Sequence, residues 1–177
     1  GLGVLVGAGL PHFLVSRAIK KRTNAFNAKF PDAIELQIRV PQTGVGRGAG
    51  PLEVSWRNIR LREVRDEQSG WRSLYNGKDL KGWSTSQAKY WSVKEAAIIG
   101  HSAVNVPKNE FIWSDVEVRN FHLVVDVKLT PDERNAGIQF RSKPVDAHGQ
   151  ALGYQADVGA GVWGKLYHEH GRGKLDW

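Results

Sequence analysis

Phe121–Thr130 reads FHLVVDVKLT, with Leu123, Val125, Val127 and Leu129 on one face of an extended chain and His122, Val124, Asp126 and Lys128 on the other. A period of two over this length, rich in β-branched residues and free of glycine and proline, predicts a strand with one buried face. The pattern repeats outward. KYWSVK (89–94), AAIIGH (96–101) and EFIWS (110–114) precede it, and GIQFRS (137–142) and GYQADVG (153–159) follow, separated by Gly, Pro, Asn and Asp. Short alternating strands with almost no helical signal predict an all-β sandwich or jelly roll.

Upstream, LEVSWRNIRLREV (52–64) sets Val54, Trp56, Ile59, Leu61 and Val64 between polar neighbours, with one slip of phase near Asn58 that a bulge would absorb. PQTGVGRGAGP (41–51) alternates glycine with small residues and reads as a linker or junction. Its glycine spacing fits neither a dinucleotide fingerprint nor a phosphate loop. NGKDLKGW (76–83) contains a Gly-Lys but lacks the earlier glycine and the following helix, so it reads as a turn.

Residues 1–40 read as a short helical segment. Leu2–Val15 is almost wholly apolar or glycine, but as a helix it spans only about 20 Å against a hydrocarbon core of roughly 30 Å. It is a membrane-helix stub or a glycine-rich buried helix. The basic residues Arg17, Lys20, Lys21 and Arg22 follow the apolar run, an order unlike a signal peptide and suited to a helix leaving the membrane on the cytoplasmic side. Membrane contact is therefore expected only through residues 1–22. Phe26, Phe30, Ile34 and Ile38 recur every four positions, which predicts short amphipathic helices.

With 177 residues, 41% of them hydrophobic, the chain can bury a core. It has no cysteine, which excludes disulfides, a thiolate nucleophile and sulfur-ligated zinc. The net charge of +7 is a property of the front: residues 1–72 hold twelve Lys/Arg against six Asp/Glu, residues 73–177 thirteen against twelve. A nearly neutral sandwich carries no footprint for nucleic acid.

The segments WRSLYNGKDLKGW, YWSVKEAAIIG, FIWSDVEVRNFHLVVDVKL, NAGIQFRS and GYQADVGAGVWGKLYHEHGRG, in this order, resemble the 3-keto-disaccharide hydrolase family, and the resemblance covers Trp71 to Lys174. The resemblance implies a concanavalin A-like jelly-roll sandwich, with residues 67–177 as the N-terminal part of the domain, and a chain whose ends look cut. It also implies periplasmic or extracellular action on glycosides oxidised at C3 of the sugar. A C3 ketone acidifies the C2 proton; a base removes it, an enediolate forms, the C1 aglycone leaves, and water adds across the double bond. Such a site needs a base, groups to hold the enolate oxygen and an acid near the leaving oxygen.

If Ile138 and Phe140 face the core, Gln139 and Arg141 emerge opposite, and the same parity puts Gln155 and Asp157 together on the next strand. These polar pairs either line a concave sugar-binding sheet or form a solvated ion-paired face. YHEHGRG adds Tyr167, His168, Glu169, His170 and Arg172. Asp157 or Glu169 is the expected base, with His170 as a further catalytic group. Gln139, Arg141, Gln155, Tyr167 and Arg172 are expected to bind the sugar, and Trp163, in a glycine-rich loop, to stack on a pyranose ring. Extended, His168 and His170 share a face able to hold a divalent metal with a carboxylate; exposed loop histidines are the other reading. His168 departs from the acidic residues usual there in the family. Trp83, Trp91 and Trp113 read as core.

Residues 51–66 resemble the family's closing strand, and Leu52–Val64 is expected to dock into the sandwich. Residues 1–40 are weakly similar to the inner-membrane platform proteins of tight-adherence pili, which implies inner-membrane association of that segment. Three functions stay open: a 3-keto-glycoside hydrolase with a carbohydrate partner, a lectin-like binding module without catalysis, and part of a membrane platform protein.

Overall fold

The computed structural model describes residues 34–40, 50–63 and 70–175, all within one compact unit that runs from Ala33 to Trp177. The strands are β1 (Ile34–Val40), β2 (Leu52–Glu63), β3 (Arg72–Ser73), β4 (Trp83–Ser84), β5 (Trp91–Lys94), β6 (Ala97–Ser102), β7 (Glu110–Val118), β8 (Phe121–Thr130), β9 (Ala136–Pro144), β10 (Ala151–Val158), β11 (Leu166–Glu169) and β12 (Gly173–Lys174). They form a jelly-roll sandwich. One sheet has seven strands in the order β12-β11-β10-β9-β1-β7-β4. In the other, β8 pairs along one edge of β2, while β6 and β3 pair along its opposite edge and β5 extends β6. The pairings are antiparallel.

Apolar residues of both sheets meet between them. Leu52, Val54, Trp56 and Ile59 of β2, Trp91 of β5 and Ile98 of β6 pack with Trp83, Ile112, Ala136 and Val158 of the facing sheet. β8 contributes Leu129 outright and Leu123, Val125 and Val127 at the margin, with the intervening residues exposed as the alternation predicts. β2 is its sheet's centre: Leu52, Val54, Trp56, Ile59 and Leu61 are each 2% exposed or less. Its phase slip is a bulge. Asn58 takes a φ of 52°, the pairing with β8 shifts between Arg57 and Arg60, and Asn58 Nδ2 donates to Asp126 Oδ2 at 2.7 Å.

The helix expected through Ile34 and Ile38 is corrected to strand β1, paired with β7 on one side and β9 on the other. A spacing of four is a multiple of the strand's period of two as well as nearly one helical turn, and Ile34, Leu36, Ile38 and Val40 alternate with Glu35, Gln37 and Arg39. The membrane-helix stub, the first amphipathic turn at Phe26–Phe30 and most of the glycine-rich linker lie outside the described residues. Among the described residues no helix is long and apolar enough to cross a membrane. The NGKDLKGW segment is a turn: Asn76 Oδ1 accepts from the Lys78 and Asp79 amides at 2.8 and 3.0 Å, and Asp79 Oδ1 accepts from the Lys81 amide at 2.9 Å.

Candidate active site

The seven-stranded sheet has an apolar and a polar face. Ile112, Ile138, Ala156 and Leu166 are aligned through the backbone position of Ile38, and Ile112 is fully buried in the core between the sheets. One residue along each strand, another line crosses the sheet on the opposite face: Ser84, Trp113, the position of Gln37, Gln139, Gln155, Tyr167 and Lys174. Side chains alternate between faces, so this line looks away from the core.

Its two halves differ. Toward β7, Phe111, Trp113 and Ala151 form a small apolar cluster of their own, with the two rings 6.4 Å apart. The stretch after β9 folds back beside it, where Ser86 Oγ donates to the His148 carbonyl and Gln150 Nε2 to the Asn109 carbonyl. Trp83 and Trp91 lie in the main core as expected; Trp113 is buried on the outer face instead.

Toward β10 the face is polar. Gln139 and Gln155 are opposite one another and both fully buried. Ser142 Oγ donates to Gln139 Oε1 at 2.9 Å, Gln139 Nε2 to Gln155 Oε1 at 3.1 Å, and Gln155 Nε2 to Asp157 Oδ1. Asp157, at the end of this file, is half-buried. Two glycines make the file fit: a Cβ on Gly137 would stand 2.3 Å from Gln155 Cδ, and one on Gly153 2.0 Å from Ser142 Oγ. Both side chains occupy the space that any other residue would fill.

Simple alternation pairs Arg141 with Gln139; the structure corrects this. Arg141 has a φ of 50°, and the β9–β10 register slips between Leu152 and Tyr154, so that two β9 residues stand opposite Gly153. Ser142 thereby returns to Gln139's side. Neither Ser142 nor Asn109 was visible as a site residue, because a bulge concealed the first and a contact across sixty positions the second.

Glu169 shares the outer face with Tyr167 but is aligned with Gly153, four residues along β10 from Asp157, on the order of 13 Å at about 3.3 Å per residue. It is 6% exposed, and Asn109 Nδ2 donates to its Oε1 at 2.6 Å. The two carboxylates expected as alternative bases therefore stand in different places. His168 lies in β11 and His170 in the turn that follows it. The His168 ring stacks on Tyr154 at 4.6 Å, Tyr154 stacks on Phe140 at 6.0 Å, and the Arg172 amide donates to His168 Nδ1 at 3.3 Å. Burial, and then the Arg172 charge, lower the His168 pKa from its ordinary value and keep the ring neutral. His170 is exposed in the turn after β11 with a φ of 52°, and Arg172 is exposed two residues on. Among the described residues no three His, Asp or Glu side chains converge on a metal-sized site. Trp163 is half exposed and donates from Nε1 to Asp132 Oδ1 at 2.9 Å; the next residue's amide bonds the Asp157 carbonyl at 2.8 Å, which sets the indole beside the Asp157 end of the sheet.

The jelly-roll sandwich thus carries a carboxylate and tethered amides on its outer sheet face. A family model described as a 3-keto-alpha-glucoside-1,2-lyase-like domain matches residues 70–176. That is more than half of the chain, and the protein belongs to this family. The match covers β3 to β12 and leaves β1 and β2 outside it. No curated protein and no solved structure matches the chain.

Proposed function

We propose that the protein cleaves 3-keto-glycosides by elimination across C1 and C2, with Asp157 as the base. The observation that carries this is the position of Asp157: half-exposed on the outer face and held by a donor from the buried file behind it. Glu169 is more than nine-tenths buried, engaged by Asn109 and four residues along β10 from Asp157, so it is not offered as the base. The ketone at C3 makes the C2 proton acidic; Asp157 takes that proton, and the electron pair passes to the C3 oxygen as an enolate. The enolate collapses, the C1–O bond breaks, and the aglycone oxygen takes a proton from water at this open face. Water then adds at C1, the proton returns to C2, and the net change is hydrolysis. The lyase named in the family description corresponds to the elimination half of this sequence. Trp163 and Tyr167 are the aromatic groups beside Asp157 that suit a pyranose ring.

The test is turnover of a chromogenic 3-keto-glucoside. Asp157→Asn should lower kcat by about 10²–10⁴-fold, the usual contribution of a positioned base, whereas Glu169→Gln should cost stability with less than about tenfold loss of kcat. A chelator should leave the rate unchanged. Binding of the keto-sugar without turnover by the wild-type chain would replace this reading with that of a lectin-like module.

A further inference from the structure

Along β2 and β8 the second sheet turns its outer face to solvent, and β2 lines that face with arginine. Before the bulge at Asn58 the odd-numbered residues point away from the core and after it the even-numbered ones do, so Arg57, Arg60 and Arg62 stand on one side. Their partners in register on β8 are Asp126, Val124 and His122. Trp71, just before β3, is 44% exposed, with Cζ of Arg60 and of Arg62 lying 5.9 and 5.2 Å from its ring centre. Such contacts hold the two side chains over the indole but neutralise no charge. Arg62 Nη2 also donates to His122 Nδ1 at 3.0 Å. Asp126, the one carboxylate of β8, is already held: Arg57 Nε lies 3.5 Å and Asn58 Nδ2 2.7 Å from its Oδ2. Among the described residues neither Arg60 nor Arg62 has a carboxylate partner.

We propose that this face binds an acidic polysaccharide, with Arg60 and Arg62 taking uronate carboxylates and Trp71 packing against the apolar face of a sugar ring. Guanidinium groups stay charged at any working pH and offer paired N–H donors that match a carboxylate. The exposed indole offers an apolar surface beside them. A uronate ring brings both complements at once, a C–H face for the indole and a carboxylate at the ring edge for a guanidinium. Arg57 and Lys128 continue the basic run along the same face, which is where a chain of such rings would lie. The polyanion is a glycan because the indole stands among the cations on a domain of a carbohydrate-processing family. Residues 73–177, with thirteen Lys/Arg against twelve Asp/Glu, also supply no second basic surface to follow a nucleic-acid backbone. Asp157 lies on the outer face of the other sheet, so polymer bound here leaves the candidate active site open, and the inference does not depend on what Asp157 does.

The experiment measures binding of the full chain to immobilised polygalacturonate, with uncharged galactan and single-stranded DNA as comparison polymers. Polygalacturonate should bind, with an affinity that falls as salt rises, because each ion pair formed releases condensed counterions. Galactan should not bind, and DNA of matched charge should bind at least about tenfold more weakly. The double charge reversal Arg60→Glu with Arg62→Glu should cost at least about tenfold in affinity, and Trp71→Ala at least about threefold at an unchanged salt slope. These side chains are exposed or half-exposed, so the variants should keep the wild-type urea midpoint. The other basic cluster, Arg17, Lys20, Lys21 and Arg22, is the control: reversing its charges should change the affinity by less than about twofold. No binding to polygalacturonate, equal binding to galactan or to DNA, or a loss that follows the Arg17–Arg22 cluster and not Arg60 and Arg62 would each overturn the proposal.

Discussion

At Gly137 a methyl group would stand 2.3 Å from Gln155 Cδ and 2.5 Å from Cγ, so Gly137→Ala must expel the amide from its place beside Asp157. Overpacking of this kind costs about 1–3 kcal/mol. The urea midpoint should fall by the equivalent amount and turnover should fall at least about tenfold, which comparison of the two variants' unfolding and rates checks. Two titrating side chains act on stability with opposite signs. His168 has a folded pKa below its ordinary 6.5, because of burial and then Arg172, so the unfolded chain binds the proton better; stability is lost as pH falls below 6.5 through the folded value. Burial pushes the Glu110 carboxyl from 4.5 up to about 7, against the pull of Lys89 and Lys108, so the folded state holds that proton better and stability is lost as pH rises from 4.5 through about 7. His168→Phe should therefore flatten the acid side of the stability profile, and Glu110→Gln should gain stability relative to wild type above pH 7; urea unfolding across the pH range checks both. Parity alone was enough to read Gln155 and Asp157 onto one face. It failed at Arg141, where a left-handed residue substitutes Ser142 for the expected arginine, and it was silent on the Glu169–Asn109 bond, which no local pattern encodes.

Among the elements, β8 and β2 were legible because burial imposes a period of two that short strands keep faithfully. Even the bulge in β2 was legible, since Val54 and Trp56 are out of phase with Ile59 and Leu61 and both pairs are buried. β1 was misread, because an i, i+4 spacing satisfies a strand as readily as a helix and the intervening Leu36 decides the matter. Its partners, β7 and β9, were beyond reading, because nothing local states which edge a strand will find. The β2 bulge gives a test of its own. Asn58 holds a φ of 52° that asparagine and glycine tolerate and a β-branched residue resists. Asn58→Ile should cost about 1–2 kcal/mol, most of which Asn58→Gly should avoid despite losing the bond to Asp126, as paired thermal unfolding would measure. Equal losses in the two variants would mean that the hydrogen bond, not the backbone, holds the bulge.

For the molecule as a whole, the two strands outside the family match occupy the middle of their sheets. β2 was expected to dock, and it does so with five core side chains at 2% exposure or less. Burying each is worth about 1.5–3 kcal/mol, roughly 8–15 kcal/mol together, which is as large as the whole net stability of an ordinary domain at about 5–15 kcal/mol. β1 adds a second dependence that concerns the site directly. It pairs Trp113 of β7 with Gln139 of β9 through the backbone of Gln37, so without it the apolar and polar halves of the outer face are no longer one sheet. A chain of residues 70–177 alone should consequently lose its cooperative urea transition, bind hydrophobic dyes and show no turnover of a 3-keto-glucoside. Adding a peptide of residues 34–63 in trans should restore the transition, because every contact that β1 and β2 make with the rest is non-covalent. A truncated chain that unfolds cooperatively at the wild-type midpoint would mean that the matched region builds its core and its site without them.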